Sequence, residues 1–374
     1  MQSAYDAVSG CFNQPLEFPL EIEILPKDYD FAGSLPLSPG IWFEERSLGI
    51  RKDALGKAFL DARLIFFGPQ STSLERCISD AEHYNASHIL SLFDSEHLTA
   101  ANLRKKHLLA TKSGLDCTSD DDFRQLLRHE LTINQSLLNS PLNRHTKSPV
   151  LWYHRRWLLQ TFEPEICLMT HATSSSEAQG HSSRQDICLA EMSVVMRAGD
   201  LHPNNYYAFT YARWLTDFIS NIENPALGDA NIDALVDSCL DTLFDWCLKH
   251  PSDISGWSFL LSLFSRCTSK DRCATIVGKL LDITIGFRWH YGSVWIFIRT
   301  ALFSTGALAE PDRIASVQKL RQQQSILDVS HREVDASKVE RGPRASFSKA
   351  LRSATLYLEH QQGETKNSQA TNHG

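Results

Sequence analysis

The run Ser148-Pro149-Val150-Leu151-Trp152-Tyr153-His154-Arg155-Arg156-Trp157-Leu158 decides how this chain is read. A Trp early in a helix is a large apolar plug between packed layers. Arg155 and Arg156, three and four residues after Trp152, return to the same side of the helix. From there a guanidinium can reach a carboxylate, or the carbonyl end of an adjacent helix, and tie one unit to the next. His154, between Tyr153 and Arg155 on a packed helix, reads as a structural histidine rather than a catalytic base.

Four other stretches carry the same frame: Thr99 to Arg104, Pro203 to Leu215, Pro251 to Leu260 and His290 to Arg299. Aligned on the aromatic, the five copies anchor at Ala101, Trp152, Phe209, Trp257 and Trp295, with steps of 51, 57, 48 and 38 residues. Such a period suits helix pairs that stack into a solenoid, each unit burying its apolar side only against its neighbours. A tetratricopeptide array, with its period of about 34 residues, fits poorly. The expected fold is all-α, an α-α superhelix of helical hairpins. Its signature residues are Trp152, Arg155, Arg156, Phe209, Arg213, Trp214, Trp257, Trp295 and Arg299.

The hairpins can be read individually. Val236, Cys239, Leu240, Leu243, Phe244, Cys247 and Leu248 form an apolar stripe at helical spacing. It stops at His250-Pro251, and a second helix starts near Asp253, an N-cap residue type, and continues through Trp257, Leu260, Leu261 and Phe264. Upstream, Ile187, Ala190 and Val194 mark a first helix ending near Gly199 and His202-Pro203. Tyr207, Tyr211, Trp214 and Phe218 mark its partner. Residues 1–50 are interrupted by Pro15, Pro19, Pro26, Pro36 and Pro39 and read as an irregular segment, with one extended stretch from Leu20 to Leu25. The solenoid is expected over 51–325, with a flexible Ser- and Gly-rich loop at 171–184. A C-terminal helix and a polar, disordered tail are expected over 326–374.

Composition removes whole classes of function. A formal charge of -7 gives no general electrostatic case for nucleic acid or an anionic membrane. The short basic cluster Arg104-Lys105-Lys106 reads as a solvated helix face. No stretch approaches the ~18 apolar residues of a membrane span, and no signal peptide is visible at the N-terminus. The nine cysteines are scattered singly, without a CxxC pair, as reduced core thiols of a cytoplasmic protein are. No HxxxH or CxxC spacing suggests a metal site, and there is no Walker loop, GxGxxG or serine elbow. The C-terminus, Thr371-Asn372-His373-Gly374, is not a prenylation box.

The patterns Trp152-x-x-Arg155-Arg156-Trp157-Leu158 and Pro203-x-Asn205-Tyr206-x-Ala208-Phe209 resemble the repeats of protein prenyltransferase α subunits. The resemblance covers about residues 85–300 and is weakest at Ala101, where an aromatic is usual. Lys147-Ser148-Pro149 and His250-Pro251-Ser252-Asp253-Ile254-Ser255-Gly256 are similar to one branch, the protein prenyltransferase α subunit repeat-containing proteins. That likeness implies the α-type subunit of a heterodimer, with geranylgeranyl as the expected isoprenoid. The heterodimer would transfer the isoprenoid from its diphosphate to a C-terminal cysteine of a target protein. The β subunit is implied to hold the zinc, the isoprenoid tunnel and most diphosphate ligands, and this chain no cofactor. The family's Lys-Asn-Tyr triplet at a second-helix start corresponds to Asn204-Asn205-Tyr206, with Asn in place of Lys, and Tyr211-Ala212 replace a usual His-Arg. These three residues are the candidates for facing the diphosphate, and helix capping is the alternative for the two asparagines. Tyr206, Tyr207, Trp257 and Tyr291 are the expected contacts with the β subunit. The competing expectation is a helical scaffold that keeps the fold without prenylation.

Overall fold

A computed structural model describes residues 2–31, 36–68, 80–114, 119–171, 181–221, 229–303, 306–333 and 343–371. They divide into two compact units, Met1–Asn221 and Ile222–Gly374.

The first unit opens with helix α1 (Ala4–Asn13), capped by Ser3, and strands β1 (Glu21–Leu25), β2 (Ile41–Glu44) and β3 (Ser47–Arg51). The strands form a sheet in the order β1-β3-β2, parallel between β1 and β3 and antiparallel between β2 and β3. The described part of the first fifty residues is therefore not an irregular segment but a helix and a sheet. Pro15, Pro19, Pro26, Pro36 and Pro39 all fall between elements, where a missing N–H costs no ladder bond, so they separate structure rather than abolish it. Ile22, Leu48, Ile50 and Ile41 on one side of the sheet are buried, as period-two alternation requires.

Helix α2 (Lys52–Phe67) leads into three hairpins: α3 (Asp80–Phe93) with α4 (Leu98–Lys112), α5 (Asp120–Leu138) with α7 (Pro149–His171), and α8 (His181–Leu201) with α9 (Tyr206–Asn221). A short turn of helix, α6 (Asn143–Thr146), links α5 to α7. Each second helix packs on the next, α4 on α7 and α7 on α9. In α5, Ser119 and Asp122 close a reciprocal capping box, and Phe123, Leu127, Ile133 and Leu137 are buried. Pro164 lies inside α7, where it removes an i→i−4 bond, and the helix is broken at Phe162 (φ -124°, ψ 25°).

The second unit contains α10 (Asp229–Lys249) with α11 (Ile254–Phe264), α12 (Lys270–Gly286) with α13 (Gly292–Phe303), and α14 (Glu310–Glu333) with α15 (Pro343–Thr371). All five anchors thus fall on second helices, and the chain is an all-α helical-repeat protein with one small sheet added. Gly256 is required by the close approach of α10 and α11, because a Cβ there would stand 2.5 Å from the Trp246 ring. The tail beyond Gln362, expected to be disordered, continues α15 to Thr371. Most of the expected loop at 171–184 lies outside the described residues. No helix among the described residues is long and apolar enough to cross a membrane.

Candidate functional site

The repeats share a register, counted from the aromatic anchor as position 0, and each position has a separate physical job. Position −4 caps the second helix. His97, Ser148, Asn205 and Asp253 accept the N–H of Ala100, Leu151, Ala208 and Gly256 at 3.1, 3.2, 3.2 and 2.9 Å. Each satisfies an N–H that has no intrahelical partner. Position 0 is buried in every copy. The Trp152 and Trp295 indoles donate to the carbonyls of Thr146 (2.8 Å) and Trp289 (2.9 Å), each six residues upstream. The corresponding carbonyl for Trp257, that of Pro251, accepts the Ser293 hydroxyl instead, and the Trp257 indole nitrogen is buried without a partner.

Positions +2 and +3 tie the first unit together around two buried glutamates on first helices. Arg104 on α4 reaches Glu130 on α5 (Nε to Oε1, 2.9 Å), and His154 on α7 meets the same oxygen at 2.5 Å. One repeat later, Arg155 grips Glu191 on α8 through two hydrogen bonds of 2.6 and 2.7 Å, and Tyr211 on α9 donates to it at 2.6 Å. Tyr84 completes the Glu130 cluster with a 2.7 Å bond, and His88 Nε2 lies 3.7 Å from the other carboxylate oxygen.

Burial alone would raise the Glu130 pKa, but the Arg104 charge, the His154 bond and the nearby His88 ring hold it well below the usual carboxylate range. Burial lowers His88 to about 4, against the pull of Glu130. Arg104 is therefore no member of a solvated face, because it neutralises a carboxylate in the interior. Among the described residues no group of three or more His, Cys, Asp or Glu is arranged to hold a metal ion.

Positions +4 and +5 stack cations on rings of the following element. Lys105 lies 5.3 Å from the centroid of the Trp157 ring, Arg156 4.9 Å from Trp214 and Arg299 4.8 Å from Tyr357. Arg213, half-buried at the same register position, has its pKa lowered by burial.

Positions −3 and +1, four residues apart and so on one helical side, carry exposed apolar residues. They are Leu98 (63% exposed), Tyr153 (60%) and Tyr206 (64%) in the first unit, and Ile254 (51%) and Ile296 (42%) in the second. In the first unit they lie on the neighbouring helices α4, α7 and α9, three or seven residues from Lys105, Arg156 and Arg213 and so on the same helical side as these. This aromatic and basic face is the candidate functional surface.

The triplet expected to face a diphosphate is split by the structure. Asn205 is fully buried: its Nδ2 donates to the Thr146 carbonyl at 2.9 Å and its Oδ1 caps α9, so both ends of the amide are engaged away from the surface. Asn204 is exposed, with a left-handed backbone (φ 58°) that asparagine tolerates better than most residues. Tyr206, 64% exposed, projects from the helix start. Among the expected contacts, Trp257 is 1% exposed and thus a core plug, whereas Tyr207 and Tyr291 are partly exposed. Glu130 and Glu191 were not singled out in the sequence, although each interrupts an apolar stripe (Leu127, Ile133, Leu137 and Ile187, Val194, Val195).

A family model described as the ECM9 middle domain matches residues 165–281. Protein prenyltransferase alpha subunit repeat-containing protein 1 of Danio rerio is 33% identical over 120 residues, which are 32% of this chain and 26% of the relative. Protein 1-A of that name from Xenopus laevis is 30% identical over 146 residues (38% and 31%), and the Homo sapiens protein 1 is 29% identical over 119 (32% and 27%). The matched stretch thus spans under a third of the length of these curated relatives. The chain is thus a helical-repeat protein similar, over about a third of its length, to the protein prenyltransferase α subunit repeat-containing proteins at about 30% identity.

Proposed function

We propose that this chain is the α-type subunit of a heterodimeric protein prenyltransferase. It would dock a β subunit on the face formed by α4, α7 and α9, and is inactive alone. The partner would supply the zinc and the isoprenoid site. The thiolate of a C-terminal cysteine on the target protein attacks C1 of the isoprenoid, with geranylgeranyl as the expected chain. The new C–S bond replaces the C–O bond to the departing diphosphate. The observation that carries this reading is that Leu98, Tyr153 and Tyr206, at positions −3, +1 and −3, expose apolar side chains on one helical side of neighbouring helices. Large aromatics flanked by arginine are the residue types that anchor protein interfaces.

A scaffold that has kept the fold without prenylation is the second reading, and the start of α9 favours it. Asn204 lacks the charge of a lysine, and Asn205 is consumed by capping. Neither offers the charge-assisted bond that suits a departing diphosphate.

Co-expression with candidate prenyltransferase β subunits, size exclusion and a labelled geranylgeranyl transfer assay separate the readings. A 1:1 complex that transfers label, and that Tyr153→Ala with Tyr206→Ala weakens about tenfold or more, as loss of an interface anchor does, supports the subunit. A complex without transfer supports the scaffold. The absence of any complex removes the subunit reading.

A further inference from the structure

The N-terminal sheet carries a second candidate site, unrelated to the second-helix face. One side of the sheet is buried; on the other, Glu21, Glu23 and Leu25 of β1, Ser47 and Gly49 of β3 and Trp42 of β2 alternate onto a common surface. A cavity of about 530 Å³ opens there, within the range of small-ligand sites. Its floor is Gly49, where a Cβ would come within 3.1 Å of Leu25, 3.6 Å of Phe31 and 3.7 Å of Trp42. The absent side chain is what lets Leu25, Phe31 and Trp42 pack closely over the strand and form the wall of the cup. Its walls are aromatic: Trp42, with Tyr29 and Phe31 set edge to face at 5.3 Å between centroids and 74° between planes.

The rim is charged. Glu21, Glu23 and Asp30 line it, and Arg197 is the one basic lining residue. Glu21 is paired with Arg46 at 2.6 Å, whereas Glu23 and Asp30 are both exposed. An aromatic cup offers a cation the negative faces of its rings, and carboxylates at the rim attract the same charge. An anion would be repelled by the carboxylates of Glu23 and Asp30. Among the described residues β3 is the only strand paired with β1, which is an edge of its sheet with α5 packed near it.

We propose that this cup binds the cationic side chain of a basic polypeptide segment, an arginine or lysine inserted against Trp42, Tyr29 and Phe31 and paired at Glu23 and Asp30.

The test is calorimetric titration of the full chain at physiological salt with a short glycine–arginine peptide and its citrulline counterpart, which keeps the shape and removes the charge. The arginine peptide binds, and the citrulline peptide binds at least about tenfold more weakly, the scale of a desolvated cation–π contact with its ion pair. Glu23→Lys with Asp30→Lys, both at exposed positions, removes binding, while Asp61→Lys elsewhere on the surface leaves it unchanged. Trp42→Leu weakens binding several-fold. If that variant melts lower than the parent, Tyr29→Leu, at a half-exposed position, serves instead. Equal affinity for the two peptides overturns the proposal. So does binding that survives both the charge reversals and the aromatic substitution, or no binding at millimolar peptide.

Discussion

The two units use one register with opposite chemistry. In the first, positions +2 and +3 hold His154, Tyr211, Arg104 and Arg155, gathered around Glu130 and Glu191. In the second, the same positions hold Phe259, Phe297, Leu260 and Ile298, all buried, with Phe297 5.2 Å from both Trp257 and Phe264. The change begins at the end of the first unit, where Ala212 occupies the arginine position. The geometry of stacked hairpins fixes where one repeat must touch the next, but not whether the contact is an ion pair or a packed ring. The polar version depends on every partner being present, because a buried charge without its counter-charge is costly. The apolar version depends on shape.

Removing a partner from the polar unit is expected to have the largest effect. Glu130→Ala leaves Arg104 buried and unpaired and should destabilise the first unit by about 3–5 kcal/mol. Calorimetric unfolding would show one transition moving down sharply and the other staying in place. The double variant Arg155→Leu with Glu191→Leu, which imitates the second unit, should cost less than either single change, since well-packed apolar residues often replace a buried pair without loss. A double variant that is as damaged as the sum of the singles would break the comparison.

The same contrast appears in pH. His88 and His145 are both lowered to about 4 by burial, below the ~6.5 of an unfolded histidine. Below pH 6.5 the unfolded chain therefore takes up protons that the folded chain refuses. Stability is intact above that pH and falls as pH drops toward 4, by up to about 1.4 kcal/mol per pH unit for each histidine. Unfolding midpoints recorded from pH 7.5 to 4.5 should fall more steeply for the first unit. Equal slopes would count against the buried histidines as the cause.

Shape should govern the second unit. Gly256→Ala drives a methyl into the Trp246 ring and should cost about 1–3 kcal/mol, visible only in that unit's transition. The anchors give a finer test. Trp152→Phe loses a satisfied indole bond and should cost about 1 kcal/mol more than Trp257→Phe, whose indole nitrogen is already unpartnered. The smallest expected effect is Asn204→Lys, about 1 kcal/mol of backbone strain at a left-handed position. The labelled transfer assay on the same variant would show whether restoring the lysine adds activity.

The repeat is legible in the order of residues alone. Aromatic anchors, stripes at helical spacing and stops at proline placed all five second helices, because burial of one helical side and removal of a backbone donor are local effects. It marked Asp253 as a cap for the same reason. Whether a polar residue is spent on structure or presented to a ligand depends on contacts between distant parts of the chain. Asn205 and Tyr206 are adjacent in the chain, yet one is consumed by the Thr146 carbonyl 59 residues away and the other is exposed. Arg104 reads as surface until Glu130, 26 residues on, meets it in the interior. The N-terminal sheet needed long-range pairing of β1 with β3, which period-two alternation over five residues suggests but cannot fix. Those pairings join residues far apart in the chain, so their energy is created only when the fold brings the partners together.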